Sequence, residues 1–336
     1  MKDPQEKTHK HTTIREISRI SGVSIATVSR VINNPESTSP EIRERVMKVI
    51  EEYNYVPNQL ARNLFSKTSD TIAIFVFDMS NPFFIELVKV TNRLAFDKKH
   101  TLIVCDTEND EQKEIDYLNY CQSTRTAGVI ITEGTSIDVC TKAAYSMPLV
   151  LLDRVLKDSP YPVVTSDNAD GIHKALGYLQ NLNHRRIGFV SGPREAISAR
   201  DRLNTYLTIM REQGREVQEG EVFPGDFSIK SGVHALDHFL SQKEKPSAVV
   251  CSNDQMAKGM IFRAHALGIR IPEDLSIIGF DGVDGEFFYP NLTTIVQDVN
   301  AIASYLIDTL IKGSKEGPNR HVVPVKLHVG ETCRRV

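Results

Sequence analysis

The sequence predicts a small all-α head in front of a larger α/β body made of two doubly wound parallel-sheet subdomains. Three observations carry that reading. Residues 13–56 hold short apolar stripes at helical spacing, each opened by a capping residue. From residue 69 onward, nine β-branched runs alternate with helical stretches: TIAIFVF, TLIVCDT, GVIITE, LVLLDR, VVTS, IGFVSG, AVVCSND, LSIIGFDG and TTIVQD. Continuous apolar runs with helical crossovers mean parallel sheets covered on both faces, and nine runs exceed one comfortable sheet.

Composition agrees with a soluble globular chain: 336 residues, 40% hydrophobic and 25% charged, which is room for two or three domains. The five cysteines are odd in number and widely spaced, with no CxxC pattern, so neither a disulfide framework nor a structural zinc is indicated. No apolar run approaches the ~20 residues that span a bilayer, and no export signal opens the chain. A reducing cytoplasm is the expected location, without membrane contact. Charge is uneven. Residues 1–68 carry 11 Lys and Arg against 8 Asp and Glu, and the remainder 29 against 35, within a net −3. A locally basic head in front of an acidic body is a weak pointer to phosphate binding at the N-terminus.

The head elements follow in order. Thr13-Ile14-Arg15-Glu16 fits a capping box, and Ile14, Ile17 and Ile20 form the first stripe. Gly22 ends that helix. Ser24 caps a second helix after a turn of about three residues, the length of the helix-turn-helix. Its buried face is read as Ala26, Val28, Val31 and Ile32. Ser39 and Pro40 open a third helix with the stripe Ile42, Val46, Val49 and Tyr53. Pro57 stops it, and a last short turn spans Gln59 to Leu64, opened by Pro57 or Asn58 and too short to be stable alone.

Ser, Thr and Asn are costly in a plain surface helix. On the second helix Ile25, Thr27, Ser29, Arg30 and Asn33 project outward, and short polar side chains there let a helix lie deep in a major groove. Arg30 can pair with a guanine edge, and Ile25 or Ala26 can meet a thymine methyl. Thr13, Ser24, Thr27, Ser29 and Asn33 can hold phosphates, which sets register without reading sequence.

In doubly wound sheets, ligands sit at the carboxyl ends of strands. Asp153 and Arg154, Asn253 and Asp254, and Asp281 stand at such ends, and Arg200 opens the helix after IGFVSG. Carboxylate, amide and guanidinium groups bond vicinal hydroxyls, and the faces of Phe83, Phe84 or Phe227 can cover an apolar ring side. Plainer roles stand beside these. Asp254 reads as a helix cap, Arg202 as a structural ion pair, and Phe83 with Phe84 as core.

Several stretches, in order over nearly the whole chain, resemble the lactose-repressor and galactose-repressor family of bacterial transcription regulators. They are TTIREISRISGVSIATVSRVINN, SPEIRERVMKVIEEYNYVPNQLARNL, DMSNPFF, AVVCSNDQMAKG and LSIIGFDG. The resemblance implies a head at 1–56, a hinge helix and linker at 57–68, and a body at 69–336. It divides the body into an N-subdomain at about 69–165 and 295–322 and a C-subdomain at about 166–294 and 323–336. It makes 57–64 a hinge helix that orders on operator DNA, with Asn58 at its start. Leu64 would wedge into the minor groove, and Ala61 would let two hinge helices approach. It also implies effector contacts at Asp153, Arg200, Asn253 and Asp281, with Phe83, Phe84 and Phe227 lining the pocket.

No GxGxxG, GxxxxGK[ST], GxSxG or HExxH motif occurs, and the histidines do not gather at a metal spacing, so no enzyme, cofactor or metal is expected. The reading is a homodimeric repressor on near-palindromic operator DNA, controlled by a sugar or sugar derivative between the subdomains. The rival is a cytosolic solute-binding protein, since the body alone resembles a periplasmic sugar receptor.

Overall fold

The computed structural model describes residues 12–56, 69–132, 147–153, 161–283, 288–312 and 320–336. Asn58, Ala61, Leu64 and Arg154 lie outside the described residues. The chain divides into two compact units, Met1–Lys67 and Thr68–Val336, and each is taken by itself.

The first unit is a three-helix bundle: α1 (Ile14–Ser21), α2 (Ile25–Asn33) and α3 (Pro40–Glu52). Its core is Ile17, Val28, Val31, Val46, Val49 and Tyr55. Gly22 takes φ 68°, the left-handed conformation that ends α1 and turns the chain toward α2. Three expected core positions are corrected. Ala26 is exposed, because it lies about 200° around the helix from Val28. Ile20 is 37% exposed, one residue from the end of α1. Tyr53 is 44% exposed at the C-terminal end of α3, and Tyr55, after the helix has ended, folds back to fill the core instead. Pro40 opens α3 as expected, but the Ser39 hydroxyl makes no capping bond.

The second unit holds two six-stranded sheets. The N-terminal sheet is built from β1 (Thr71–Val76), β2 (Thr101–Asp106), β3 (Gly128–Ile131), β4 (Leu149–Leu152), β5 (Val163–Ser166) and, from the far end of the chain, β11 (Arg320–Val323). Its order is β11-β5-β4-β3-β1-β2, all parallel. The second sheet comprises β6 (Ile187–Ser191), β7 (Val222–Pro224), β8 (Ala248–Cys251), β9 (Ser276–Asp281), β10 (Thr293–Gln297) and β12 (Val325–His328). Its order, β12-β10-β9-β8-β6-β7, repeats the same winding, with only β12 antiparallel.

Helices cover both faces of each sheet, and this burial is why the strands read as unbroken apolar runs. On β1, Ile72, Ile74 and Val76 pack against α4 (Pro82–Asp97) and α10 (Val299–Lys312), while Ala73 and Phe75 face α5 (Glu111–Ser123). In the second sheet, α6 (Asn168–Asn181) and α7 (Ile197–Glu212) cover one face. The other lies under α8 (Ile229–Ser241) and α9 (Asp254–Ala266).

The chain crosses between sheets three times: after β5 at Ser166–Asp167, after β10 at Gln297–Asp298, and through Pro324 between β11 and β12. The second crossing falls beyond the expected position of about 295, because β10 stays paired with β9 and β12 through its last residues.

Candidate functional site

On the head, the outward face of α2 carries Ile25, Ala26, Arg30 and Asn33 exposed, with Thr27 and Ser29 half-buried along its flanks. The Ser24 hydroxyl accepts from the Thr27 amide at 3.1 Å and lies 2.9 Å from the Thr27 hydroxyl. Asn33 Nδ2 donates to Ser29 Oγ at 3.2 Å. These local bonds hold the small polar side chains along the helix. Arg30 has no ion-pair partner among the described residues, whereas Arg43 and Arg45 on α3 are tied to Glu36 and Glu41. Thr13 completes its capping box: its amide donates to Glu16 Oε2 at 2.8 Å, and the Glu16 amide donates to its hydroxyl at 3.3 Å.

In the body, Asp153 follows β4 and Asp281 ends β9, at the carboxyl ends of their sheets; they are 6% and 5% exposed. Both have positive φ, 53° and 125°, as does Phe227 at 71°. Such strain in non-glycine residues gathers at functional sites. Gly192 lets the Phe227 ring approach where a Cβ would collide with it. Phe83 and Phe84 open α4 behind the Asn81 cap and meet edge-to-face at 5.4 Å within the N-terminal core, so packing accounts for both.

The arginine expected here is corrected. Arg200 is exposed, whereas Arg202, two residues on, is 3% exposed and faces the sheet. Its Nη1 lies 3.9 Å from Asp281 Oδ1, its Nε donates to Asn168 Oδ1 at 2.7 Å, its Nη1 donates to the Ser252 carbonyl, and the guanidinium stacks 3.6 Å over Phe280. The expected ion pair is thus real, and it falls on a proposed effector contact. A helix face turns 100° per residue, so Arg200 and Arg202 cannot both point inward. The inward positions Ala199, Arg202, Tyr206, Ile209 and Met210 select the second of them, a signal the sequence already carried.

Asn253, not Asp254, caps α9. Its Oδ1 accepts from the Met256 amide and its Nδ2 donates to the Phe227 carbonyl, both at 2.9 Å, so one bond caps the helix and the other holds the Phe227 loop. Asp254 turns inward, accepting from Thr294 Oγ1 at 2.5 Å, the Gly282 amide at 2.9 Å and the Val283 amide at 3.2 Å. Burial pushes its carboxyl up to about 6 against those bonds. Burial also holds Asp281 well above the usual carboxylate range. Arg202 opposes that shift, and the neighbouring charges of Asp254 and Asp153 add to it.

Asp281 accepts a further bond from Gln297 Nε2 at 2.8 Å, and Gln297 Oε1 accepts from Ser166 Oγ at 2.5 Å. Nothing in the sequence distinguishes Gln297, Ser166 and Asn168 from other polar residues at strand and helix ends. The arrangement offers carboxylate acceptors for a polyhydroxylated molecule beside aromatic surface. No group of metal-binding side chains is found among the described residues.

Residues 13–58 match the family model for bacterial regulatory proteins of the lacI family, and 176–333 match the periplasmic binding protein-like domain. Over 327 residues the chain is 34% identical to the ribose operon repressor of Halalkalibacterium halodurans, covering 96% of this chain and 97% of that one. This chain belongs to the lacI family of bacterial regulatory proteins. Another lacI-type relative is the HTH-type transcriptional repressor PurR of Photobacterium profundum, 32% identical over 310 residues, with 90% and 92% of the two chains covered. The structure of the lac repressor dimer bound to operator and the anti-inducer ONPF superposes with a TM-score of 0.86 at 26% identity, covering 97% of this chain and all of that one. Among the described residues no helix is long and apolar enough to cross a membrane.

Proposed function

We propose that this lacI-family chain is a homodimeric cytoplasmic repressor whose affinity for a near-palindromic operator is set by a sugar or sugar derivative bound between the two sheets of the body. The observation that carries the DNA half is the outward face of α2. A capped helix presents Ile25, Ala26 and an arginine without an ion-pair partner among the described residues, flanked by hydroxyls suited to phosphates. The relatives named as repressors, one of them seen as a dimer on its operator, support that half. A two-fold dimer demands two-fold DNA. The hinge roles of Asn58, Ala61 and Leu64 belong to the same reading.

For the effector, the strained and buried Asp153 and Asp281 supply acceptors for hydroxyl donors, and Phe227 supplies ring surface. Arg202, not Arg200, is the guanidinium beside Asp281, and Asn253 holds the loop that carries Phe227. This reading assigns the chain no reaction and no cofactor.

The test is a mobility shift of the purified protein on its own upstream DNA against random DNA at fixed salt, with a panel of sugars and sugar acids. Selective binding altered by one compound supports the reading. Equal binding to both DNAs, with a sugar still bound by the body, returns it to a cytosolic solute-binding protein. Arg30→Ala lowers the preference for operator by about 1–3 kcal/mol per half-site while leaving salt-sensitive binding to any duplex unchanged.

A further inference from the structure

Five side chains, joined at their ends only by the backbone of residues 166–168, form a ring at the first crossing between the sheets. Ser166 donates to Gln297, Gln297 donates to Asp281, Asp281 faces Arg202 at 3.9 Å, and Arg202 donates to Asn168. Each is at most 5% exposed. Ser166 and Asn168 flank Asp167, so both ends of the ring grip one crossing. Gln297 is the last residue of β10 and stands at the second. The Asp167 amide donates to the Val323 carbonyl at 2.9 Å, which ties in the third.

Gln297 alone in this ring engages its donor and its acceptor in opposite directions through one planar amide. A hydroxyl donated to Asp281 shares the carboxylate's charge with the Gln297 N–H and so weakens the Gln297 bond. Turning the amide to find another acceptor moves Oε1 relative to Ser166. Buried polar groups strand at a cost when a partner leaves, so the two bonds change together.

We infer that Gln297 is a positioning residue that transmits occupancy of Asp281 to the crossings between the sheets. The inference rests on the reading of Asp281 as an effector contact. Gln297 touches no effector in this account; it acts through Asp281 at one end and Ser166 at the other.

The test uses the full chain and amide hydrogen exchange at Asp167. Asp281 and Ser166 share no hydrogen bond, so Asp281→Asn and Ser166→Ala act independently unless something joins them. With Gln297 present, the double variant departs from the product of the single effects by about threefold or more. In a Gln297→Leu background, or Gln297→Met should the leucine chain not fold, the effects multiply to within about twofold. A product relation with Gln297 intact overturns the inference, and so does a departure that survives its replacement.

The underlying reading is scored separately by calorimetry with D-ribose, D-xylose, D-glucose and cellobiose. A sugar bound by the wild-type chain and lost in Asp281→Asn upholds the effector contact. Equal binding to both chains, or binding to neither, overturns it without touching the exchange result.

Discussion

Arg202 shows how a single side chain is decided by its surroundings. It is the buried cation beside Asp281, and it also stacks on Phe280 and bonds Asn168 and Ser252. Removing one partner of a buried pair leaves the other charge uncompensated, so Arg202→Met lowers stability by about 3–5 kcal/mol in denaturant unfolding, whereas Arg200→Met, at an exposed position, changes it by less than about 0.5 kcal/mol. Asp254 gives a pH signature. Its folded carboxyl sits at about 6 against an ordinary 3.8, so between those values the native state holds more protons than the unfolded chain. Its contribution is therefore most favourable near pH 4 and is lost as pH rises through 6, on the order of 2–3 kcal/mol. Asp254→Asn flattens that slope in unfolding measured from pH 4 to 7, whatever its effect on stability at one pH. The sequence placed Asp153, Asn253 and Asp281 at strand ends because residue type and strand pattern suffice for that. Arg200 and Arg202 stand in one short motif, and only the helical phase, which buries Arg202 with Ala199 and Tyr206, separates them.

Among the elements, the head shows local chemistry setting helix ends. The Thr13 capping box, the Gly22 turn and the Ser24 cap form as the residue types dictate. Gly22→Ala puts a Cβ on a φ of 68° and costs the head about 1 kcal/mol, read as faster amide exchange through α1 with the body unchanged. The nine apolar runs are all strands: eight are central parallel strands buried on both faces, and β2, although at an edge, keeps an apolar run at 102–105. β7, β11 and β12 carry no such signal. β7 is three residues long, while β11 and β12 carry Arg320, His321, Lys326 and His328 between their apolar positions. All three lie at sheet edges, where β11 and β12 carry charge and β7 ends in Pro224, devices that discourage further pairing. β11 and β12 bracket the third crossing between the sheets.

For the molecule as a whole, the two sheets repeat one winding order and are joined by three short crossings, with the proposed effector contacts Asp153 and Asp281 at the carboxyl ends of β4 and β9. A ligand that favours one relative placement of the sheets shifts that equilibrium by its difference in affinity for the two placements and no more. If operator DNA favours one placement as well, effector and operator must alter each other's binding by the same factor. The measurement that tests this most directly is titration of the operator-active sugar into the chain alone and into its complex with operator DNA, with operator affinity measured at zero and saturating sugar. The account predicts equal factors, in the range of about 5–150-fold. Sugar affinity that is the same with and without operator would contradict it, because the body and the head would then be two independent binding proteins on one chain.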